Sequence, residues 1–156
     1  NPDSDPLGQG YQLIQSKIAL GSGGITGKGF LQGTQSYLEY LPEKQTDFIF
    51  TLIGEEFGFI GTIFIIFLFI LLISICYFIS TKSFHIFGKI IAVGVASNIF
   101  IYVFMNIAMV SGLMPVVGIP LPLLSYGGSV MLSIMISIGL VLNVEINYNL
   151  KKLDNA

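Results

Sequence analysis

Phe57-Gly58-Phe59-Ile60-Gly61-Thr62-Ile63-Phe64-Ile65-Ile66-Phe67-Leu68-Phe69-Ile70-Leu71-Leu72-Ile73-Ser74-Ile75-Cys76-Tyr77-Phe78-Ile79 contains no charged residue. About 20 apolar residues, rising about 1.5 Å each along a helix, cross the hydrocarbon core of a bilayer. This stretch therefore reads as a transmembrane helix. A second runs from about Ile86 or Ile90 to Val110, with Lys89 placed to snorkel at its start, and a third from about Leu123 to Val144. The expected fold is an all-α polytopic membrane protein. It has three transmembrane helices, preceded by a large extracellular loop carrying short amphipathic helices.

Composition agrees. With 53% hydrophobic residues, 10% charged and a mean hydropathy of +0.82, a 17.0 kDa chain has too little polar surface to be solvated as a globule. The net charge is −2, the pI is about 5.2 and there is no Arg, so no basic field exists for nucleic acid. Cys76 is single and lies among apolar residues, which suits a buried inert thiol and excludes a disulfide framework or cysteine metal cluster. His85, the one histidine, reads as a solvated loop residue, so neither a Ser-His-Asp nor a Cys-His arrangement is available. The chain opens on Asn1-Pro2-Asp3-Ser4-Asp5-Pro6 without an initiator Met or a cationic leader, and reads as a piece of a longer protein.

Short-loop lysines orient the spans. Lys82, His85 and Lys89 separate the first two, and Lys151 and Lys152 follow the third, so those sides are expected in the cytoplasm and the N-terminal region outside. Lys17, Lys28 and Lys44 thin this bias. The expected domains are an extracytoplasmic loop over 1–47 and three spans over 48–156, with a re-entrant outer loop near 111–125 and a cytoplasmic C-terminus.

Before the first span, Tyr11 to Leu20 suits a short helix on the membrane surface. Gly21, Gly23, Gly24, Gly27, Gly29 and Gly33 then recur closely, supplying positive-φ turns or close backbone approach. Nucleotide motifs fail on spacing: a P-loop ending at Gly27-Lys28 needs Gly where Ser22 stands and Ser or Thr where Gly29 stands, and a dinucleotide fingerprint from Gly21 needs a third Gly where Thr26 stands. Gly112, Pro115, Gly118, Pro120 and Pro122 interrupt the apolar sequence between the second and third spans. Irregular backbone at membrane depth must be buried in protein or line a wet cavity, so 113–124 reads as a re-entrant or tightly packed outer loop.

Polar residues within spans mark surfaces that avoid lipid. Asn98, Tyr102 and Asn106 form one stripe at i, i+4 and i+8, suited to interhelical hydrogen bonds or to lining a substrate groove. Ser125, Ser129, Ser133 and Ser137 give a small-residue face suited to helix packing. Glu55 and Glu56 sit at the outer mouth of the first span, either as a solvated pair or, for Glu55, as part of a site with Asp47, about 80° away around a helix.

That site is centred on Leu41-Pro42-Glu43-Lys44-Gln45-Thr46-Asp47. Pro42 suits a first helical turn, and from there Glu43, Lys44 and Asp47 would share a face. Asp47 reads either as a plain cap or, beside Glu39, Glu43 and Lys44, as an ionised carboxylate serving as a base or cation ligand.

Six separated motifs carry a resemblance: Asn1-Pro2-x-x-Asp5-Pro6-Leu7-Gly8-x-Gly10-Tyr11, Gln15-Ser16-Lys17-Ile18-Ala19, Gly21-Ser22-Gly23-Gly24, Gly33-Thr34-Gln35-Ser36, Leu41-Pro42-Glu43-x-x-Thr46-Asp47-Phe48-Ile49-Phe50 and Pro120-Leu121-Pro122-x-x-Ser125-Tyr126-Gly127-Gly128-Ser129. In this order they resemble the C-terminal part of the shape, elongation, division and sporulation (SEDS, RodA/FtsW) family. Gly33-Thr34-Gln35-Ser36 and Val117-Gly118-Ile119-Pro120-Leu121-Pro122 look closer to its rod-shape-determining branch.

The resemblance implies the last three helices of a ten-helix peptidoglycan glycosyltransferase, working at the outer face of the bacterial cytoplasmic membrane during cell elongation. Its substrate would be lipid II, polymerised onto undecaprenyl-pyrophosphate-linked glycan. Asp47 matches the family's essential acid and is the expected catalytic residue, with a divalent cation (Mg or Mn) as a candidate ligand. Glu39, Glu43, Lys44, Ser125, Tyr126, Gly127 and Gly128 are the expected substrate contacts. Gln45 stands where His is common in the family, which argues against a base at that position. Expected partners are a class B penicillin-binding protein acting as transpeptidase, elongation-complex membrane proteins and membrane lipids, with no nucleic acid. A lipid II flippase, with Asn98, Tyr102 and the serine stripe lining a headgroup path and Asp47 as a gate, and a noncatalytic scaffold for the transpeptidase are the alternatives.

Overall fold

The computed structural model describes residues 9–33 and 46–154, and among them the regular structure is entirely helical. Helix α1 covers Gln9–Ser22, α2 Ile49–Lys82, α3 Ile86–Val110 and α4 Gly128–Asp154. The last three are long and apolar enough to cross a membrane. The third starts at Gly128 rather than near Leu123, because Pro120 and Pro122 lack N–H donors and Leu123 takes a φ of 64°, which a continuing helix cannot accept.

Helix α2 is two helices joined at a kink. Gly58 has φ 68° and ψ −159°, a conformation that is essentially restricted to glycine. Such a break would strand four backbone groups in an apolar setting, where each must find a partner. The glycine-rich segment supplies all four. Phe59 and Ile60 N–H, which in an unbroken helix would bond Glu55 and Glu56, donate to the carbonyls of Gly24 (2.9 Å) and Ile25 (3.2 Å). The released carbonyls of Glu55 and Glu56 accept from the N–H groups of Lys28 and Gly29, both at 3.0 Å. Gly27 lies so close to the Glu56 carbonyl that no Cβ fits there, so the glycine density serves backbone-to-backbone contact.

Helix α1 buries Leu13, Ser16 and Ala19 and leaves Ile14 and Ile18 exposed. It is docked on α2 and α3 rather than only resting on a membrane surface. The Ser16 hydroxyl reaches the Val110 carbonyl at 3.0 Å, an acceptor left open by the end of α3.

The core between the spans has two parts. Cys76, Ile79, Ala92, Ala96 and Val141 pack at one end, where the small Ala92 and Ala96 side chains let the helices approach. The other end joins Phe48, Phe50, Phe69, Ile99, Val103, Met109, Val110, Leu121 and Ile134. Phe48 and Leu121, both fully buried, pull the start of α2 and the loop over 111–127 into this cluster.

Helix α4 packs through Val130, Ile134, Ile138 and Val141, leaving its serines elsewhere. Ser133 and Ser137 donate to the carbonyls four residues earlier, at 3.0 and 2.8 Å. Ser129 and Ser133 are exposed and Ser137 is half-buried, so the expected small-residue packing face is not covered within the described residues.

Candidate functional site

Asp47 lies in a turn over 46–48 immediately before α2, half-buried, rather than on a helical face. Buried Phe48 holds that turn in the core and so helps to place the neighbouring carboxylate. The loop over 111–127 passes directly beside it. A Cβ built on Gly118 would stand 3.3 Å from Asp47 Oδ2, and Gly118 itself has a φ of 70°. Only glycine permits that φ and that approach together.

Asn106 joins the two segments. It is fully buried at 0% exposure, and its Nδ2 donates to the Asp47 carbonyl at 2.8 Å and to the Ile119 carbonyl at 2.7 Å. Both partners are acceptors, which fixes the orientation of the amide. Its Oδ1 is buried without a partner among the described residues, as is Thr51 Oγ1. An orphaned buried acceptor costs about 1–3 kcal/mol. The polar stripe thus divides: Asn106 bonds a turn and a loop instead of a neighbouring helix, Tyr102 is half-buried and Asn98 is exposed.

The adjacent acids are not a solvated pair. Glu55 and Glu56 are buried, at 1% and 6% exposure, and Glu55 Oε1 pairs with Lys28 Nζ at 2.8 Å. Gly33 sits against the Glu55 carboxylate, where an added Cβ would stand 2.8 Å from Oε2. Glu55 consequently anchors the glycine-rich segment to α2, a role that sequence spacing did not reveal. The lysine partner lies 27 positions away, so no local periodicity could signal it.

Among the expected substrate contacts, Ser125 has a structural task. Its hydroxyl accepts from Leu121 N–H at 2.6 Å, while Ser125 N–H donates to the Leu121 carbonyl at 3.0 Å, closing the turn before α4. Tyr126 is 81% exposed. Nothing lies within 4 Å of a Cβ built on Gly127 or Gly128, so both glycines face open space among the described residues. Glu39, Glu43, Lys44 and the expected helix start at Leu41-Pro42 lie outside the described residues. Among the described residues no three His, Cys, Asp or Glu side chains gather to hold a metal. Any cation at Asp47 would therefore depend on other oxygen donors, which suits the habit of magnesium but not an all-protein cage.

Comparison with known proteins follows the same geometry. The chain is 53% identical over 145 residues to peptidoglycan glycosyltransferase MrdB of Escherichia coli (strain K12), covering 93% of this chain and 39% of that protein. It is 48% identical over 145 residues to stage V sporulation protein E of Bacillus subtilis (strain 168), with the same two coverages, 93% and 39%. The chain thus spans about two fifths of the length of these relatives, 39% in each case. A solved structure described as "Structural coordination of polymerization and crosslinking by a peptidoglycan synthase complex" matches with a TM-score of 0.72 at 33% identity, over 92% of this chain and 38% of that one. Residues 1–150 match the family FTSW_RODA_SPOVE, cell cycle protein, and the chain belongs to that family.

Proposed function

We propose that this chain is the part of a peptidoglycan glycosyltransferase that carries its catalytic acid, polymerising lipid II into glycan strands during cell elongation. The observation that carries this reading is the placement of Asp47, half-buried at the head of a transmembrane helix, beside a loop that glycine and proline hold irregular at the same end of the bundle. Relatives named as peptidoglycan glycosyltransferases support it.

In the reaction, a sugar hydroxyl of one lipid-linked disaccharide attacks the anomeric carbon of another. The new glycosidic bond forms as the bond to undecaprenyl pyrophosphate breaks, with inversion. Asp47 takes the hydroxyl proton as the bond forms, a role that needs an ionised carboxylate within reach of the nucleophile. Alternatively, Asp47 would hold a divalent cation, which would supply positive charge to the leaving group. Lys44 would contribute positive charge to the same group, and Glu39 and Glu43 would shape the field.

The catalytic loop is placed on the outer face of the cytoplasmic membrane, where lysines at 82, 89, 151 and 152 mark the opposite, cytoplasmic side. The similar synthase complex supports a class B penicillin-binding protein as partner. The test is lipid II polymerisation by the full-length protein. Asp47→Asn keeps the shape of the side chain and removes the base, so the rate should fall by about 10²–10⁴-fold at normal membrane abundance. Retention of most activity would remove Asp47 from catalysis.

A further inference from the structure

The geometry points to Asn106 as a positioning residue for Asp47. The inference rests on the catalytic reading of Asp47 above, and adds how that carboxylate is held. Three observations converge on one amide. Nδ2 bonds the Asp47 carbonyl at 2.8 Å and the Ile119 carbonyl at 2.7 Å, thereby joining the turn before α2 to the loop before α4. The residue between Ile119 and that approach is Gly118, whose Cα faces Asp47 Oδ2 closely enough that a Cβ would stand 3.3 Å away. Oδ1 has no partner among the described residues although the side chain is fully buried.

The orphaned oxygen decides between packing and positioning. An apolar side chain of similar volume would fill this site without burying an unpaired acceptor. What asparagine alone supplies here is two N–H donors on one rigid plane, directed at two carbonyls from segments distant in sequence. Both bonded carbonyls lie outside the helices, one in the turn over 46–48 and one in the loop over 111–127. With the amide removed, both carbonyls lose a buried partner, and the turn and loop separate or rotate. The Asp47 carboxylate moves with its own carbonyl, because the two share one Cα. Displacement of a reacting group by about 1 Å costs on the order of 100-fold in rate.

The test uses the full-length protein in its membrane, with lipid II as substrate. Asn106→Leu removes both donors while roughly conserving volume, and Asn106→Ser keeps a single hydroxyl donor in a smaller side chain. Asn106→Leu should lower kcat by about ten- to a hundred-fold with KM within about twofold of wild type, and Asn106→Ser should lower it less. Asp47→Asn is measured alongside. If Asp47→Asn stays active, the catalytic reading fails. If Asp47→Asn is inactive while both Asn106 variants keep wild-type kcat, or change KM alone, the positioning role is overturned and the catalytic reading stands. Absence of both Asn106 variants from the membrane would make Asn106 a folding residue and would equally overturn the proposal.

Discussion

Replacing Lys28 with Met should undo the docking of the glycine-rich segment on α2. Glu55 is only 1% exposed, and Lys28 Nζ lies 2.8 Å from its Oε1, with the lysine side chain 27% exposed. Removing one partner of a buried pair leaves a desolvated charge and costs about 3–5 kcal/mol. At about 1.4 kcal/mol per factor of ten, the segment should open roughly a hundred- to several-thousand-fold more often. The amides of Lys28, Gly29, Phe59 and Ile60 report that opening, since their hydrogen bonds are the ones exchanged between the segment and the kink. Hydrogen exchange of the full-length protein in detergent, measured by mass spectrometry on peptides covering these residues, reads it directly. Glu55→Gln should cost less than Lys28→Met, because the ammonium is exposed enough to reach water. The double variant should recover much of the loss. Exchange in Lys28→Met within about threefold of wild type would refute the anchoring argument.

Gly58→Ala forces a Cβ towards the Gly27 nitrogen and the Ile25 carbonyl at a φ of 68°. Strain of about 1–3 kcal/mol should straighten the helix or release residues 23–33, seen as faster protease cleavage there; unchanged cleavage would show that the kink is not needed for docking. For topology, single cysteines at exposed Leu113 and His85, in a Cys76→Ser background, should label from outside and inside the cell respectively. Labelling of both from one side would contradict the crossing of α3.

The motif around Asp47 was legible because its residues are adjacent in sequence and stand just before a long apolar span. Its neighbours in space were not. Helical spacing left Glu55 either solvated or in a site with Asp47; the chain is a turn at 46–48, and Glu55 is buried and paired with Lys28. The glycines of the chain look alike in sequence, yet Gly127 and Gly128 face open space while Gly23, Gly27 and Gly58 are approached closely by backbone. A glycine in the sequence states what the backbone is free to do. It does not state what comes near.

By itself, the sequence determined the compartment, the helical class and the candidate acid. Each of these depends on local quantities: hydropathy summed over about 20 residues, and a short motif read in order. Only the tertiary structure decided that the first span is broken at Gly58 and repaired by backbone groups of residues 24–29, and that Asn106 joins the Asp47 turn to Ile119. The kink bonds are long-range pairings between backbone groups, and the Asn106 bonds end on backbone carbonyls, groups that residues carry in the same form whatever their side chain. Side-chain identity alone therefore cannot mark which of them will meet.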